Sequence, residues 1–462
     1  MGSAASLFFD SSDREKQTLY RRVTPTDLQF EEQQKRWNLL ADFLRTDLRE
    51  RSGHPIRSWL QGSYKFGTQI RPMRTGEEFD IDLGVYYEWN GTPQEGKHSP
   101  KTLKSFVQDS LIEFSKQHLA TVKNVGAPKL RCCRIHYHGS FHIDVPGYHL
   151  DGSRDARCLA TESGWEDSDP KEVYLWFKNH IDEVYRYKVR RLVTYLKAWS
   201  ALQFKESTGR PSSILATVLV ADAAASIGLD VLGADDEALV AVVEAILRRL
   251  REDSRVPNPV DETENLVRLK EDQLHALLES LSHLLDIGRR ALDCDSAVKA
   301  ADIWQEAFEH FFPFPEAIEH SVDGAASGLP VMAYSPEILV SAVSNKNSNL
   351  KFRDVNKIGP IPKDCEIKFE ITNSGLLPRG AAVIWMVRNE GDEAENINDL
   401  GHRGGTGIVA TERSAYSGRH YMDCIVKHGG STIGMRRVPV LISKSSGPLR
   451  NPPRPSWEQF RK

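Results

Sequence analysis

Three aspartates and one serine in the first third of the sequence have the types and spacing to carry metal-assisted chemistry on phosphates. Asp80 and Asp82 alternate within the run FDIDLG, and Asp144 lies in a second apolar run, FHIDV. Because alternate residues of a strand project to one face, Asp80 and Asp82 can meet the same pair of cations. Hard cations such as Mg²⁺ take oxygen ligands, and two of them can clamp the attacking and leaving oxygens of an in-line displacement. The pattern predicts a site for two Mg²⁺ ions, with Mn²⁺ as a substitute.

Gly62 and Ser63, in the preceding segment QGS, supply a site for the phosphate itself. Glycine lets the backbone approach a phosphate closely, and the serine hydroxyl and neighbouring N–H groups can donate to its oxygens. An aspartate pair on an exposed strand, or a Gly-Ser turn, is common by itself in proteins without this chemistry. The aspartate at position 144 is different, because an acid in an apolar strand is costly unless a cation neutralises it. The order of the three pieces therefore favours catalysis.

Hydrophobic periodicity predicts the elements that position these residues. Short strand patterns carry the site, and helical patterns dominate from residue 172 to 311. The predicted helices cover residues 27–50, 102–119, 172–204, 212–227, 237–252, 263–288 and 297–311. The strands of the first half are predicted at 56–61, 79–89, 130–138 and 140–150, the last two joined in a hairpin at Gly139-Ser140, and only helices are expected after them.

The sequence changes character near residue 320. From Cys365 onward, short strand patterns alternate with turns (CEIKFEIT, AAVIWMVRN, GIVATE, HYMDCIVKH and RRVPVLIS), which predicts a small β-sandwich. The predicted organisation is α+β: a catalytic domain with a helical lobe at 1–335, an Asn/Ser-rich linker at 336–350, a β domain at 351–446 and a Pro-rich tail at 447–462.

Composition excludes several classes of protein. The 462 residues are 40% hydrophobic and 27% charged, and the net charge is −4, so no strong positive field exists to hold duplex nucleic acid. We find no run long enough to span a membrane. The six cysteines form no CxxC pair and predict neither a zinc site nor a disulfide framework. Free thiols fit a reducing cytoplasm, and we expect a cytoplasmic protein without a membrane anchor.

The motifs together resemble a known family. The order QGS, FDIDLG and FHIDVP is similar to that of polymerase β-type nucleotidyltransferases. More narrowly, QGSYKFGTQIRP, GEEFDIDLGVYYEW, WEDSDPKEVYLWF and RPSSIL resemble the CD-NTases, the cGAS/DncV-like nucleotidyltransferases of bacterial anti-phage signalling. The resemblance covers roughly residues 20–320. It implies a polymerase β-type core with a helical lobe, and synthesis of a cyclic oligonucleotide from ribonucleoside triphosphates.

By position, the resemblance also implies roles for single residues. It makes Asp80, Asp82 and Asp144 the metal ligands and gives the donor triphosphate further contacts. The implied nucleotide-binding residues are Gln61, Gly62, Ser63, Phe66, Ser168, Asp169, Lys197 and Ser213. Of these, Ser63, Lys197 and Ser213 would contact the triphosphate, whereas Gln61, Phe66, Ser168 and Asp169 match positions near the bases. From the residues alone, other interpretations stay open: Lys197 as a solvated helix-face residue, Ser213 with Ser212 as a helix cap, and Phe66 as a core residue.

The C-terminal part resembles the AGS-C domain, the adenylyl/guanylyl and SMODS C-terminal sensor domain, through AAVIWMVRNEGDEA and TERSAYSGRHYMDCIVKHGG. The resemblance implies that this domain senses a small ligand or a protein. Arg403 and His420 are difficult to explain by packing and are the candidate ligand contacts, whereas Trp385 and Tyr421 are expected in the sandwich core.

The sequence therefore predicts a metal-dependent nucleotidyltransferase that makes a cyclic oligonucleotide, using ATP with GTP or another nucleoside triphosphate, for a separate effector in antiviral defence. Two alternatives remain: a linear nucleotidyltransferase acting on RNA or a small alcohol, and an inactive nucleotide-binding sensor.

Overall fold

The computed structural model describes residues 2–12, 17–74, 76–204, 209–313, 315, 333–429 and 431–443. The chain divides into two compact units, Met1–Cys294 with Glu306–Phe308, and Asp295–Gln305 with Glu309–Lys462. The α-helices in the described ranges are α1 Ala5–Phe8, α2 Leu19–Val23, α3 Asp27–Ser52, α4 Gly62–Phe66, α5 Pro100–Gln117, α6 Pro170–His180, α7 Glu183–Gln203, α8 Ser213–Ile227, α9 Asp235–Glu252, α10 Glu271–Leu292, α11 Ala297–Phe308 and α12 Asp392–Asn396.

The strands fall into separate groups in the two units. In the first unit they are β1 Ile56–Gln61, β2 Phe79–Glu88, β3 Val122–Val125, β4 Cys133–Tyr137, β5 Phe141–Val145, β6 Gly147–Asp151, β7 Ala156–Thr161, β8 Gly164–Asp167, β9 Pro257–Asn258 and β10 Asp261–Asn265. In the second unit they are β11 Ile338–Ser344, β12 Lys351–Val355, β13 Ile358–Ile361, β14 Cys365–Ile371, β15 Ala382–Asn389, β16 Gly401–Thr406, β17 Val409–Arg413, β18 Gly418–His428 and β19 Ser431–Ile442.

A twisted mixed sheet forms the centre of the first unit. Within the described ranges it has eight strands in the order β3-β4-β5-β2-β6-β7-β8, with β1 paired to β2 off this path. Its apolar face is covered by α3 and α5, which bring residues such as Leu44 and Leu111 against Ile81 and Ile143 of the sheet. A capping box at Thr26 starts α3, because the threonine hydroxyl satisfies a backbone N–H that the helix leaves unpaired. The buried face fixes which way the acidic residues of β2 point.

The predicted helix 27–50 and the strands at 56–61 and 79–89 are confirmed within a few residues. The predicted strand 140–150 is two strands, because Pro146 lacks the N–H that would continue the ladder of β5. The expectation of helices alone after residue 150 is wrong, since β7 and β8 extend the sheet and β9 and β10 form a small separate ribbon. The predicted helix 172–204 is broken at Ile181-Asp182 into α6 and α7.

The second unit is a sandwich of two sheets, as the strand spacing predicted. Over the described residues, one sheet has the order β12-β11-β14-β17 and the other the order β13-β19-β18-β15-β16. Trp385 lies fully buried between them, as predicted for a core residue. The apolar residues of facing strands interdigitate there, which leaves the strand ends and loops to carry polar groups.

The linker predicted at 336–350 is not what the structure shows, since Ile338–Ser344 forms strand β11 between β12 and β14. Ile338, Val340 and Ala342 alternate into the core, a period of two that the polar stretch following the strand, at 345–349, concealed. The boundary expected at 335 also differs from the division of the units, because α11 contributes Asp302 to an ion pair with Lys427. The Pro-rich tail at 447–462 lies outside the described residues.

Among the described helices, none has both the length and the apolar character that crossing a bilayer requires.

Candidate active site

The parallel pairing of β2 with β5 brings the three predicted aspartates together. Asp82 lies directly opposite Asp144 in the register, and Asp80 lies opposite His142. Phe79 and Ile81 are buried on the other face of β2, so Asp80 and Asp82 share one face as the alternation predicted. The carboxylates converge on one edge of the apolar core.

Of the three aspartates, Asp82 is the one whose ionised form is most destabilised by its surroundings. Burial raises the pKa of its carboxyl well above the usual range, and the neighbouring charges of Asp80 and Asp144 raise it further. Like charges in a low-dielectric site repel strongly, and a cation is the group that removes both penalties. The donor set also fits a hard cation, since oxygen atoms of Asp80 and Asp144 lie within 4.8 Å of each other, together with a ring nitrogen of His142.

His142 orients Asp80. Its Nε2 lies 2.8 Å from Oδ1 of Asp80, and its Nδ1 lies 3.0 Å from Oε2 of Glu78, which also contacts Nδ1 of His136 at 2.7 Å. The ring of His142 is buried, whereas Asp80 is half exposed. A fixed imidazole between two carboxylates holds Asp80 in one orientation, as groups outside a metal's own ligands commonly do.

Asp144 is held by two cations on the neighbouring segment. Nε and Nη2 of Arg134 donate to its two carboxylate oxygens at 2.5 and 2.7 Å, and Nζ of Lys129 lies 3.4 Å away. Burial opposes ionisation of Asp144, but the Arg134 guanidinium prevails and holds the pKa of the carboxyl below its ordinary value. The sequence reasoning missed Arg134, because a two-residue turn at Gly139-Ser140 would set residue 134 opposite residue 145, whereas the observed loop 138–140 sets it opposite Asp144.

Gly62 and Ser63 begin the short helix α4 directly after β1, whose last residue pairs with Asp82. Gly62 has φ +57°, and a Cβ at this position would collide with Oδ2 of Asp82. Only glycine brings the backbone this close to the carboxylate at so little cost. The turn therefore places Ser63 beside the aspartates.

A cavity of about 320 Å³ joins this turn to the helical part of the same unit. Ser63, Asp80, Lys197 and Ser213 all line it, together with Arg210. Cavities of this size are common for small-molecule ligands. The structure therefore brings together three residues that the sequence analysis assigned to the nucleotide, Ser63, Lys197 and Ser213, with the predicted metal ligand Asp80.

Lys197 is buried in α7, so the interpretation as a solvated helix-face residue is wrong. Its Nζ donates to the carbonyl of Thr68 at 2.7 Å. Burial lowers the pKa of Lys197 to about 8, while Asp80 and Asp82 act in the opposite direction. A buried ammonium group on the wall of a cavity is suited to bind an anion.

Ser212, and not Ser213, caps α8: its hydroxyl accepts the N–H of Leu215 at 3.3 Å. Ser213 is the first residue of the helix and lines the cavity. The backbone N–H groups of a helix start favour negative charge. The capping interpretation is therefore correct for Ser212, and the side chain of Ser213 is available to a ligand.

The residues predicted to lie near the bases, Gln61, Phe66, Ser168 and Asp169, are not among those that line this cavity. Gln61 is buried and hydrogen-bonded to Tyr86 and Tyr148, with its amide nitrogen 2.7 Å from the hydroxyl of Tyr86. Phe66 is buried against Tyr174 and Phe177, which is the core interpretation left open by the sequence.

Ser168 and Asp169 sit where β8 gives way to α6. The carboxylate of Asp169 caps α6 by accepting the N–H groups of Lys171 and Glu172, and Arg157 pairs with it at 2.7 Å. The carboxylate of Asp169 is thus used to cap α6 and to pair with Arg157. The structure gives no support for a contact between Asp169 and a base.

In the second unit, the two predicted ligand contacts separate. His420 lines a cavity of about 570 Å³ between the two sheets, whereas Arg403 is exposed on β16 and is not part of its wall. The cavity is also lined by Asn389, His402 and Arg413. Sequence reasoning could not place these residues together because their proximity depends on long-range strand pairing.

Comparison with known proteins agrees with this arrangement. Residues 56–148 match the nucleotidyltransferase domain of the cyclic GMP-AMP synthase DncV-like family, and residues 312–443 match the adenylyl/guanylyl and SMODS C-terminal sensor domain. A cyclic GMP-AMP synthase of Escherichia albertii is 28% identical over 95% of this chain and 96% of its own length. A c-di-GMP synthase of Roseivirga ehrenbergii is 25% identical over 51% of this chain and 67% of its own.

Among solved structures, a variant of the Vibrio cholerae dinucleotide cyclase DncV in complex with ATP, GTP and 5MTHFGLU2 superposes with a TM-score of 0.57. It is 19% identical and covers 67% of this chain and 97% of its own, so the likeness establishes the fold. Fold and matched domains together define a nucleotidyltransferase followed by a C-terminal sensor domain. Within that class, the chain is most similar in these comparisons to the CD-NTases, the cGAS/DncV-like nucleotidyltransferases, through its matched domains and its near full-length alignment with the Escherichia albertii synthase.

Proposed function

We propose that this chain joins two nucleoside triphosphates, ATP with GTP or with a second ATP or GTP, into a cyclic dinucleotide. The observation that carries the proposal is the register of β2 and β5, which sets Asp82 opposite Asp144 and puts Asp80 on the same face beside Ser63. The relative from Escherichia albertii, a cyclic GMP-AMP synthase, aligns over nearly the full length of the chain and supports the product class.

Asp80, Asp82 and Asp144 fit two divalent cations, which we propose are Mg²⁺, with Mn²⁺ as a substitute. Their donor atoms are hard oxygens, and the pKa of Asp82, which burial and the charges of Asp80 and Asp144 raise, supports a role for cations here. When bound, such ions neutralise charge on the transferring phosphoryl group and polarise the attacking and leaving oxygens.

The protein's own groups position the donor triphosphate. Ser63 and the N–H groups of α4 are placed to donate to phosphate oxygens, and Lys197 and Ser213 face the same cavity from the helical side. Lys197 offers a positive charge in a partly desolvated site, where its attraction to phosphate is stronger than in water. Asp144 is the proposed contact nearest the acceptor ribose hydroxyl, because it lies on the strand beside the other two aspartates.

We further propose that the product acts on a separate effector in antiviral defence in the cytoplasm, where ATP and GTP are available. The experiment for the catalytic proposal uses the purified full-length chain with labelled ATP and GTP and Mg²⁺ or Mn²⁺, followed by phosphatase. A cyclic dinucleotide has no terminal phosphate, so its label survives. With the label on the α-phosphates, a linear dinucleotide would lose the label of its terminal triphosphate and keep that of its internal phosphodiester. Full release of the label would mean that no bond had formed and would indicate a nucleotide-binding protein without this activity.

A further inference from the structure

A cavity in the C-terminal sandwich has the chemistry of a binding site. Its volume is about 570 Å³, within the range of small-molecule sites. Ile367 and Phe369 of β14 line it from one sheet, and Val387 and Met422 line it from the other. The cavity therefore presents apolar surface from both sheets, which suits the faces of a ring.

Two buried polar side chains line this cavity. Asn389 and His420 lie directly opposite each other in the pairing of β15 with β18, and each is more than nine-tenths buried. Such groups are costly to bury unless hydrogen bonds satisfy them. Their presence in an apolar layer is therefore unexplained by packing alone.

His420 lacks one partner. Its Nε2 lies 2.9 Å from the carbonyl of Tyr416, which can only accept, so Nε2 carries the proton. Burial lowers the pKa of the ring, which keeps it neutral. In the part of the chain that the structure describes, Nδ1 has no hydrogen-bond partner. A neutral Nδ1 is an acceptor, so the missing partner is an N–H or O–H donor.

Asn389 adds an amide that is able to donate and accept. No side-chain hydrogen bond of Asn389 is formed within the described ranges, and its backbone N–H is already bonded to Leu400 at 3.0 Å. An amide beside an acceptor nitrogen presents the alternating pattern that matches the edge of a nucleobase.

The charges around the cavity disfavour phosphate. Three carboxylates line it, those of Glu366, Asp399 and Glu412, against the two basic groups Arg413 and His402. Asp399 accepts the hydroxyl of Tyr416 at 2.8 Å, and Glu412 lies 3.1 Å from Nε2 of His402. A triphosphate needs several convergent cations or N–H groups, which this lining does not supply.

We propose that this cavity binds an uncharged nucleobase or nucleoside, whose ring lies between the two sheets and donates an N–H group to Nδ1 of His420. The ligand differs from the triphosphates proposed for the catalytic site in lacking phosphate. This inference does not depend on catalysis, because every residue that carries it lies in the second unit.

The test measures binding to the full-length chain in EDTA, which removes the metal dependence of triphosphate binding. The probes are the free bases and nucleosides of adenine, guanine, cytosine and uracil, compared with AMP, GMP and ATP. We expect at least one base or nucleoside to bind about tenfold more tightly than its phosphorylated form. His420→Phe and Asn389→Ala should each weaken that binding about tenfold, the expected size for a lost buried hydrogen bond. Arg403→Ala is the matched control, because Arg403 is exposed on β16 and outside the cavity.

Hydrogen exchange on the unaltered chain locates the ligand independently of any variant. Protection of residues 382–389 and 418–428 on adding the base supports the site, even where a variant unfolds. Protection confined to residues 56–148, equal losses in Arg403→Ala and His420→Phe, tighter binding of the phosphorylated forms, or no binding below about 1 mM would each overturn the proposal.

Discussion

Arg134 occupies both carboxylate oxygens of Asp144, at 2.5 and 2.7 Å, across the antiparallel pair β4 and β5. The carboxylate that we propose as a metal ligand is thus already paired with a guanidinium. Any divalent ion that uses Asp144 must compete with Arg134 or share the carboxylate with it. This competition makes metal affinity adjustable by a single side chain.

We therefore predict that Arg134→Gln binds Mn²⁺ several-fold more tightly than the unaltered protein in the absence of nucleotide. A charge-assisted hydrogen bond such as that between Arg134 and Asp144 contributes about 1.5–3 kcal/mol. In the variant, metal binding no longer has to break this pair, so part of that free energy appears as tighter Mn²⁺ binding. Electron paramagnetic resonance of free Mn²⁺ measures the affinity. Arg131→Gln is the control, because Arg131 pairs with Glu166 away from the aspartates. An unchanged or weaker Mn²⁺ affinity in Arg134→Gln would contradict competition between Arg134 and the metal.

The second prediction concerns the fold without metal. Asp82→Asn should raise the melting temperature of the metal-free protein and eliminate the stabilisation that divalent ions provide. It removes a buried charge that Asp80 and Asp144 repel. A gain on the order of 1 kcal/mol would move the melting temperature by roughly 2–4 °C.

Asp151→Asn is the comparison for that measurement. Asp151 is also buried, but the N–H and hydroxyl of Ser153 donate to it at 2.9 and 2.6 Å and hold its pKa below the ordinary value. Its replacement should lower the melting temperature. If calorimetry shows both variants destabilised alike, the repulsion at Asp82 is too weak to matter.

The third prediction concerns Lys197. Lys197→Met should weaken ATP binding about tenfold or more with little loss of stability, because the side chain is buried but close in size to methionine. The wild-type protein should also bind ATP less tightly above about pH 8, the value to which burial lowers the lysine pKa. Above that pH the ammonium loses its proton and its attraction for phosphate. Titration calorimetry at pH 7 and pH 9 checks this, and a pH dependence that persists in Lys197→Met would assign it to another group.

The fourth prediction concerns the sandwich. Asp423 is fully buried between Arg388 and Arg437, with carboxylate contacts at 2.6 and 2.8 Å. Asp423→Asn should destabilise the second unit by about 3–5 kcal/mol, because it leaves guanidinium groups with an uncompensated charge. Glu370→Gln is the control, since its pair with Lys368 is exposed and worth at most about 1 kcal/mol. Equal denaturation midpoints for the two variants would contradict a structural role for the buried pair.

The convergence of the aspartates was predictable from the sequence, because Asp80 and Asp82 are two residues apart and Asp144 interrupts an apolar strand. The contact of Arg134 with Asp144 did not follow from the predicted turn at Gly139-Ser140, because the observed register depends on a three-residue loop at 138–140. The local sequence pattern therefore predicts the three aspartates of the proposed metal site.

What the sequence could not supply depends on distant pairing. The burial of Lys197 arises where α7 packs beside the loop that carries Thr68, a contact across 129 residues. The cavity with Asn389 and His420 requires the register of β15 and β18 and a facing sheet. Strand β11 was missed because its apolar residues run directly into the polar, Asn/Ser-rich stretch at 345–349, which dominated the composition of the segment assigned to a linker.

The rate of pyrophosphate release from ATP and GTP with Mg²⁺ tests the central claim most directly, because every proposed bond-forming step releases one pyrophosphate. The account predicts release by the full-length chain and a loss of about 1,000-fold or more in Asp80→Asn/Asp82→Asn, with circular dichroism unchanged. Release at the unaltered rate by the double variant, or no release by the wild-type chain with any pair of nucleotides, would contradict it.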